Sequence, residues 1–190
     1  MRNELLFDEL NVLRYQLAPG MAPDGTGKKP KRLDPAYVED SLLDLLIMAY
    51  MYGVLDLNEQ LGVMESVDTD KMYETVYKRI ADKTFADRVR EYANTGDIES
   101  IMRVAETEIE RDYNTGSLDA AESTGLKLTK TWMTMRDDRV RDTHEPLQSV
   151  TVPLEDKFYA IDGDSTLAPG GFEKPENNVN CRCWLQYRTV

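Results

Sequence analysis

An α+β fold is predicted for this chain of 190 residues: a mainly helical N-terminal body with a small antiparallel sheet in the C-terminal third. Three observations carry the prediction. Apolar residues recur at helical spacing between recognisable caps up to residue 124. After Gly125 the period drops from helical to two, as in a pleated strand. The chain then ends in a second alternating stretch marked by Trp184 and Tyr187.

Residues 3–17 read as a short helix, because Leu5, Leu6, Leu10, Leu13 and Leu17 fall near one face. Residues 18–31 are rich in Pro, Gly and Lys and read as an exposed connector. Within it, Lys28-Lys29-Pro30-Lys31-Arg32 reads either as a solvated loop or as a phosphate contact. Asp34-Pro35 then starts a helix, with an N-cap acceptor followed by proline at the first helical position. That helix is apolar nearly all round between Leu42 and Val54, which suits either central burial or a contact with a partner. Gly62 ends it. Further helices are expected over residues 69–81 and 85–93. The turn Asn94-Thr95-Gly96 and the cap Asp97 open a long helix to Thr124, which Gly125 ends.

Beyond Gly125, Leu128, Lys130, Trp132 and Thr134 share one face of an alternating stretch, which reads as a strand. Residues 137–144 read as a short helix or a turn, 150–152 as a short strand, 160–178 as loop and 181–189 as a strand. Three parts follow: a helix and basic connector (1–34), an acidic helical region (35–126) and a small α+β unit (127–190).

Net charge is −12, and residues 35–126 hold 20 acidic against 8 basic side chains. Such a surface repels phosphate backbones, so contact with DNA is expected only through the basic connector. The N-terminus lacks the apolar core of a signal peptide. The longest apolar run, from Leu45 to Leu55, is too short to span a membrane, and no membrane partner is expected. Two cysteines one residue apart are not a disulfide framework.

The single histidine, His144, and the two cysteines, Cys181 and Cys183, all fall in the last part of the chain. On a strand, residues i and i+2 face the same way, so both sulfurs can approach one centre. With His144 they would supply three ligands to zinc, leaving Asp142, Asp138 or water for the fourth position. The alternative is that the cysteines are small buried hydrophobes and His144 a hydrogen-bonded structural residue. On a helix, Asp137, Arg141 and His144 would share one face, with Asp137 and Arg141 in the favourable pairing order. That face would hold the segment onto the strands, or line a site with His144 as base. There is no nucleophilic serine motif and no phosphate-binding glycine loop after a strand.

Taken in order, Thr107-Glu108, Asn114, Gly116, Lys130-Thr131-Trp132, Asp138 to His144 with Arg141 between, Pro169-Gly170 and Asn180-Cys181-Arg182-Cys183 resemble the phage Mu F-like minor head protein family. These proteins are also called phage head morphogenesis proteins. The resemblance covers about 80 residues, from Ala105 to Leu185, and rests on several motifs at matching distances. It implies a minor capsid protein of a tailed bacteriophage, found in the virion and, during assembly, in the host cytoplasm. Its implied partners are the portal protein or the major capsid protein, in head assembly and in DNA packaging or ejection. Some members carry a toxin domain after the motifs; with seven residues after Cys183, none is expected here. The resemblance brings no catalytic residues, and no enzyme activity is expected. A small zinc-dependent hydrolase or nuclease using His144, Cys181 and Cys183 is the alternative.

Overall fold

Cap chemistry sets the limits of the helices in the computed structural model, which describes residues 4–17, 34–80 and 82–190. The basic connector expected over 18–31 lies outside the described residues. The first helix, α1 (Glu4–Leu17), buries Leu6, Leu10 and Leu13. For α2 (Pro35–Leu61), the Asp34 side chain accepts the Ala36 N–H at 3.1 Å, and Gly62 closes the far end at φ 66°. A left-handed residue costs glycine nothing there. Asp68 caps α3 (Thr69–Val76), a capping box of Thr84 and Asp87 opens α4 (Phe85–Thr95), and Asp97 caps α5 (Ile98–Ser123).

The third helix stops at Val76, short of the expected residue 81. Arg111, far away on α5, donates to the Thr75 carbonyl at 3.1 Å. Asp82 then turns the chain in the left-handed region at φ 61°. Neither effect is written in the local apolar pattern.

The two long helices α2 and α5 cross where each carries a glycine. A Cβ on Gly53 would run into the Tyr113 carbonyl and lie 2.8 Å from the Ser117 nitrogen. A Cβ on Gly116 would run into the Tyr50 carbonyl. The flanking tyrosines reach across in opposite directions: Tyr50 OH donates to Asp119 and Tyr113 OH to Asp56, both at 2.7 Å. Helix α2 is therefore central, the first of the two readings of its all-round apolar character, although Met48, Met51 and Leu55 remain exposed on one side.

Past Gly125, β1 (Leu128–Met133) runs between β2 (Thr151–Pro153) and β5 (Trp184–Thr189), antiparallel to both. Lys130 faces Tyr187 and Val152 across the ladder, and Met133 faces Trp184. The expected pairing of the two tryptophan-bearing strands is present. The stretch expected as loop, 160–178, instead holds β4 (Ser165–Thr166), paired with β3 (Phe158–Tyr159), and the short helix α6 (Pro175–Asn178). The Asp164 carboxylate organises it by accepting the N–H groups of Ser165, Glu173 and Lys174 and the Asn177 amide.

Apolar packing forms two clusters. The first joins α1, α2, α4 and α5 around Leu42, Leu46, Phe85 and Ile101. The second draws Tyr50, Val54, Leu57, Leu118 and Ala121 of the long helices together with Leu128, Trp132, Phe158, Phe172, Leu185 and Tyr187. The sheet thus shares its core with the helical body on both sides of residue 126. Among the described residues, no helix is long and apolar enough to cross a membrane.

Candidate metal centre

His144 stands at the end of the turn that follows β1, immediately before a 3-10 turn (Glu145–Leu147). Cys181 and Cys183 lie in the short segment between α6 and β5, not on the strand as expected. The three are nevertheless brought together. Both sulfurs lie 3.7 Å from His144 Nδ1, and all three side chains are buried. Their ligand atoms fall within 4.8 Å of one another. Asp138 and Asp142 are exposed, and neither brings an oxygen into this group, which corrects both as candidates for a fourth ligand.

Aromatic rings hold the imidazole in place. Phe172 stacks on it at 5.2 Å and Trp132 meets it edge-on at 5.6 Å, and Phe158 in turn packs edge-on against the indole at 5.1 Å. The Nε2 of His144 is buried and has no hydrogen-bond partner among the described residues. Packing therefore does the orienting that a carboxylate commonly does for a ligating histidine. The Cys183 thiol, donating to Cys181, together with the nearby His144 pulls Cys181 well below the usual thiol range. Cys183 is pushed up by the same pairing and by burial.

The 137–144 segment is a turn, and the helical face expected for Asp137, Arg141 and His144 does not form. The Asp137 carboxylate accepts the Arg139 N–H at 3.2 Å, a local bond that competes with the helix. Asp137 pairs instead with Arg182, between the two cysteines, through two bonds of 2.7 and 2.8 Å. That pairing takes its carboxyl down to about 2. Arg141 donates to the Val179 carbonyl, and Thr143 to Asn177 at 3.0 Å. The turn is thus stitched along its length to the segment that carries the cysteines.

Helix α5 supplies the floor. Asn114 donates to the Cys183 carbonyl at 3.0 Å, and Thr107 Oγ1 accepts the backbone N–H of Asn180 at 3.1 Å. Asn180 takes the left-handed conformation at φ 57°, which asparagine tolerates better than most side chains. Its tie to α5 is made by the backbone N–H. Glu108 is buried and pairs with Arg88 at 2.9 Å and with Arg111. Gly170, at φ 86°, lets the Pro-Gly loop press against the Arg111 backbone, where a Cβ would come within 2.9 Å of its Cα. Motif residues far apart in sequence thus meet around the two cysteines: Thr107 and Asn114 of α5, Trp132 of β1, and His144.

The sequence profile of the family described as Phage Mu protein F like protein matches residues 60–186 of this chain. The chain belongs to this family. Two relatives are similar over 85 residues each. Minor head protein GP7 of Bacillus phage SPP1 is 32% identical, over 44% of this chain and 28% of that protein. The NAD(+)--arginine ADP-ribosyltransferase EFV of Enterococcus faecalis (strain ATCC 700802 / V583) is 31% identical, over 43% of this chain and 17% of that protein. The chain thus spans less than a third of the length of either relative. No solved structure matches it.

Two features of this Mu F-like site were missed from sequence. Phe158 and Phe172 close the aromatic cage, yet each stands in a stretch with no periodic pattern. Arg139, Arg141 and Arg182 line a cleft of about 380 Å³ beside Cys181, together with Glu106 and Glu110. Charge counting alone finds residues 127–190 nearly neutral and hides this rim. Arg182 and Arg139 are partnered by Asp137, and Arg141 by a carbonyl, so the rim is built into the fold.

Proposed function

We propose that this chain is a minor capsid protein that joins the portal vertex or inner capsid of a tailed phage during head assembly. Membership of the Mu F-like family carries the reading, and the similarity to a phage minor head protein supports it. On this reading it resides in the virion and passes through the host cytoplasm during assembly. The match to the ADP-ribosyltransferase covers too little of that protein to bring a transferase activity here. We infer a structural role, since His144 is packed between the rings of Trp132 and Phe172 and the sulfurs of Cys181 and Cys183.

The helical body is the natural docking element. Its acidic surface suits a basic partner, and Met48, Met51 and Leu55 offer an apolar strip on α2. Co-expression with the portal protein encoded by the same phage is the test. The two should co-purify, with association weakening as salt rises, because exposed charges are screened over ~10 Å at 0.1 M. Met51→Glu should weaken capture without unfolding the chain, since Met51 is already exposed. Nuclease activity that needs zinc and disappears in His144→Ala, without portal capture, would replace this reading with the hydrolase.

A further inference from the structure

We propose that His144 Nδ1, Cys181 Sγ and Cys183 Sγ bind one zinc ion, with water as the fourth ligand, and that the ion staples the post-β1 turn to the segment leading into β5. The inference stands apart from the head-assembly reading and does not depend on it.

The distances favour an ion over plain packing. Zinc–nitrogen and zinc–sulfur bonds of ~2.05 and ~2.3 Å at a tetrahedral angle place the nitrogen about 3.6 Å from each sulfur. Both observed separations are 3.7 Å. A neutral imidazole offers one acceptor nitrogen with one lone pair, which can take a proton from only one thiol. Two sulfurs at equal distance from that nitrogen are what a shared ion requires, and a single S–H···N bond does not. The charges also close: two thiolates and a neutral imidazole around Zn²⁺ make a neutral buried group, which avoids the cost of an unpaired buried charge. Binding would release the two thiol protons to solvent.

Room for the fourth ligand lies alongside. A recess of about 10 Å³, roughly the space one water needs, is bordered by His144, Cys183, Asn180 and the three rim arginines. Among the described residues no carboxylate joins the group, so water fits the remaining position better than Asp138 or Asp142.

A staple here has a physical purpose. Residues 134–150 and 154–183 carry few ladder bonds, and their only strands are two residues long. A small unit of this kind commonly needs a metal or disulfide in addition to its apolar core. The Asp137–Arg182 and Thr143–Asn177 pairs bridge the same two segments from outside.

The test uses the full chain, purified after expression in zinc-supplemented medium. One zinc per chain is expected by elemental analysis. Replacement by cobalt should give the visible bands of a tetrahedral ion and the near-ultraviolet charge-transfer absorption of two thiolates. Cys181→Ser, Cys183→Ser and His144→Ala should each lose the metal, while Asp138→Asn and Asp142→Asn keep it in full. If the ligand variants do not fold, the cobalt spectrum of the unaltered chain decides. Folded protein that takes up neither zinc nor cobalt would overturn the proposal. So would metal retained in full by a folded Cys181→Ser, Cys183→Ser or His144→Ala variant, or lost from Asp138→Asn or Asp142→Asn.

Discussion

Gly53→Ala and Gly116→Ala are each expected to destabilise the protein by about 3 kcal/mol or more, the upper end of the usual cost of overpacking. The sign is informative, because intrinsic propensity argues the other way. Alanine inside a helix is favoured over glycine by ~1 kcal/mol. Here each new methyl would meet backbone, the Tyr113 carbonyl in one case and the Tyr50 carbonyl in the other. Backbone cannot swing aside as a side chain can, so the helices must part. Parting them would lengthen the Tyr50–Asp119 and Tyr113–Asp56 bonds, both 2.7 Å. The double variant should cost less than the sum of the two, since the second methyl enters a gap already opened. Urea melts of the three variants measure this. A stabilising effect in either single variant would show that α2 and α5 do not cross at these glycines.

Arg111→Met should cost about 3–5 kcal/mol, the usual loss when one partner of a buried ion pair is removed. Arg111 is buried between Glu108 and Asp112 and also holds the Thr75 carbonyl. Methionine keeps much of the volume but leaves Asp112 without its cation. Burial already pushes the Asp112 carboxyl up to about 7, against the pull of Arg111. The sign of the pH dependence follows. A raised carboxyl binds its proton more tightly in the folded chain than in the unfolded one. Its contribution is therefore greatest below the ordinary aspartate range and is lost as pH rises toward about 7, at ~1.4 kcal/mol per pH unit. Asp112→Asn should remove that slope, so the stability difference between wild type and Asp112→Asn should fall across this window. Arg111→Met should be most damaging at high pH and partly relieved in acid. Denaturant melts at several pH values check both statements.

What could be read in advance was mostly local. Asp34, Gly62, Asp97 and Gly125 mark helix limits because capping depends on a few neighbouring residues. The alternation of Leu128, Lys130 and Trp132 marks a strand because one face is buried. The turn at 137–144 was harder to read, since Asp137 has two uses for its carboxylate and its main partner, Arg182, lies 45 residues away. The shortness of α3 depends on Arg111 in the same way. The clustering of His144, Cys181 and Cys183 was legible from rarity, the only histidine and the only cysteines of the sequence, although the cysteines precede β5 rather than lie on it. Asn114 and Glu108 stood in the motif pattern, but their tasks, holding the Cys183 carbonyl and pairing Arg88 with Arg111, exist only in three dimensions. The aromatic cage had no sequence signal, because Phe158 and Phe172 sit in irregular chain.

Quantitative mass spectrometry of purified heads tests the head-protein reading most directly. Particles from the phage or prophage that encodes this chain should contain it at a small fraction of the coat protein, and it should stay with the heads through gradient purification. Its absence from purified heads, while abundant in the soluble fraction of the same lysate, would contradict the account.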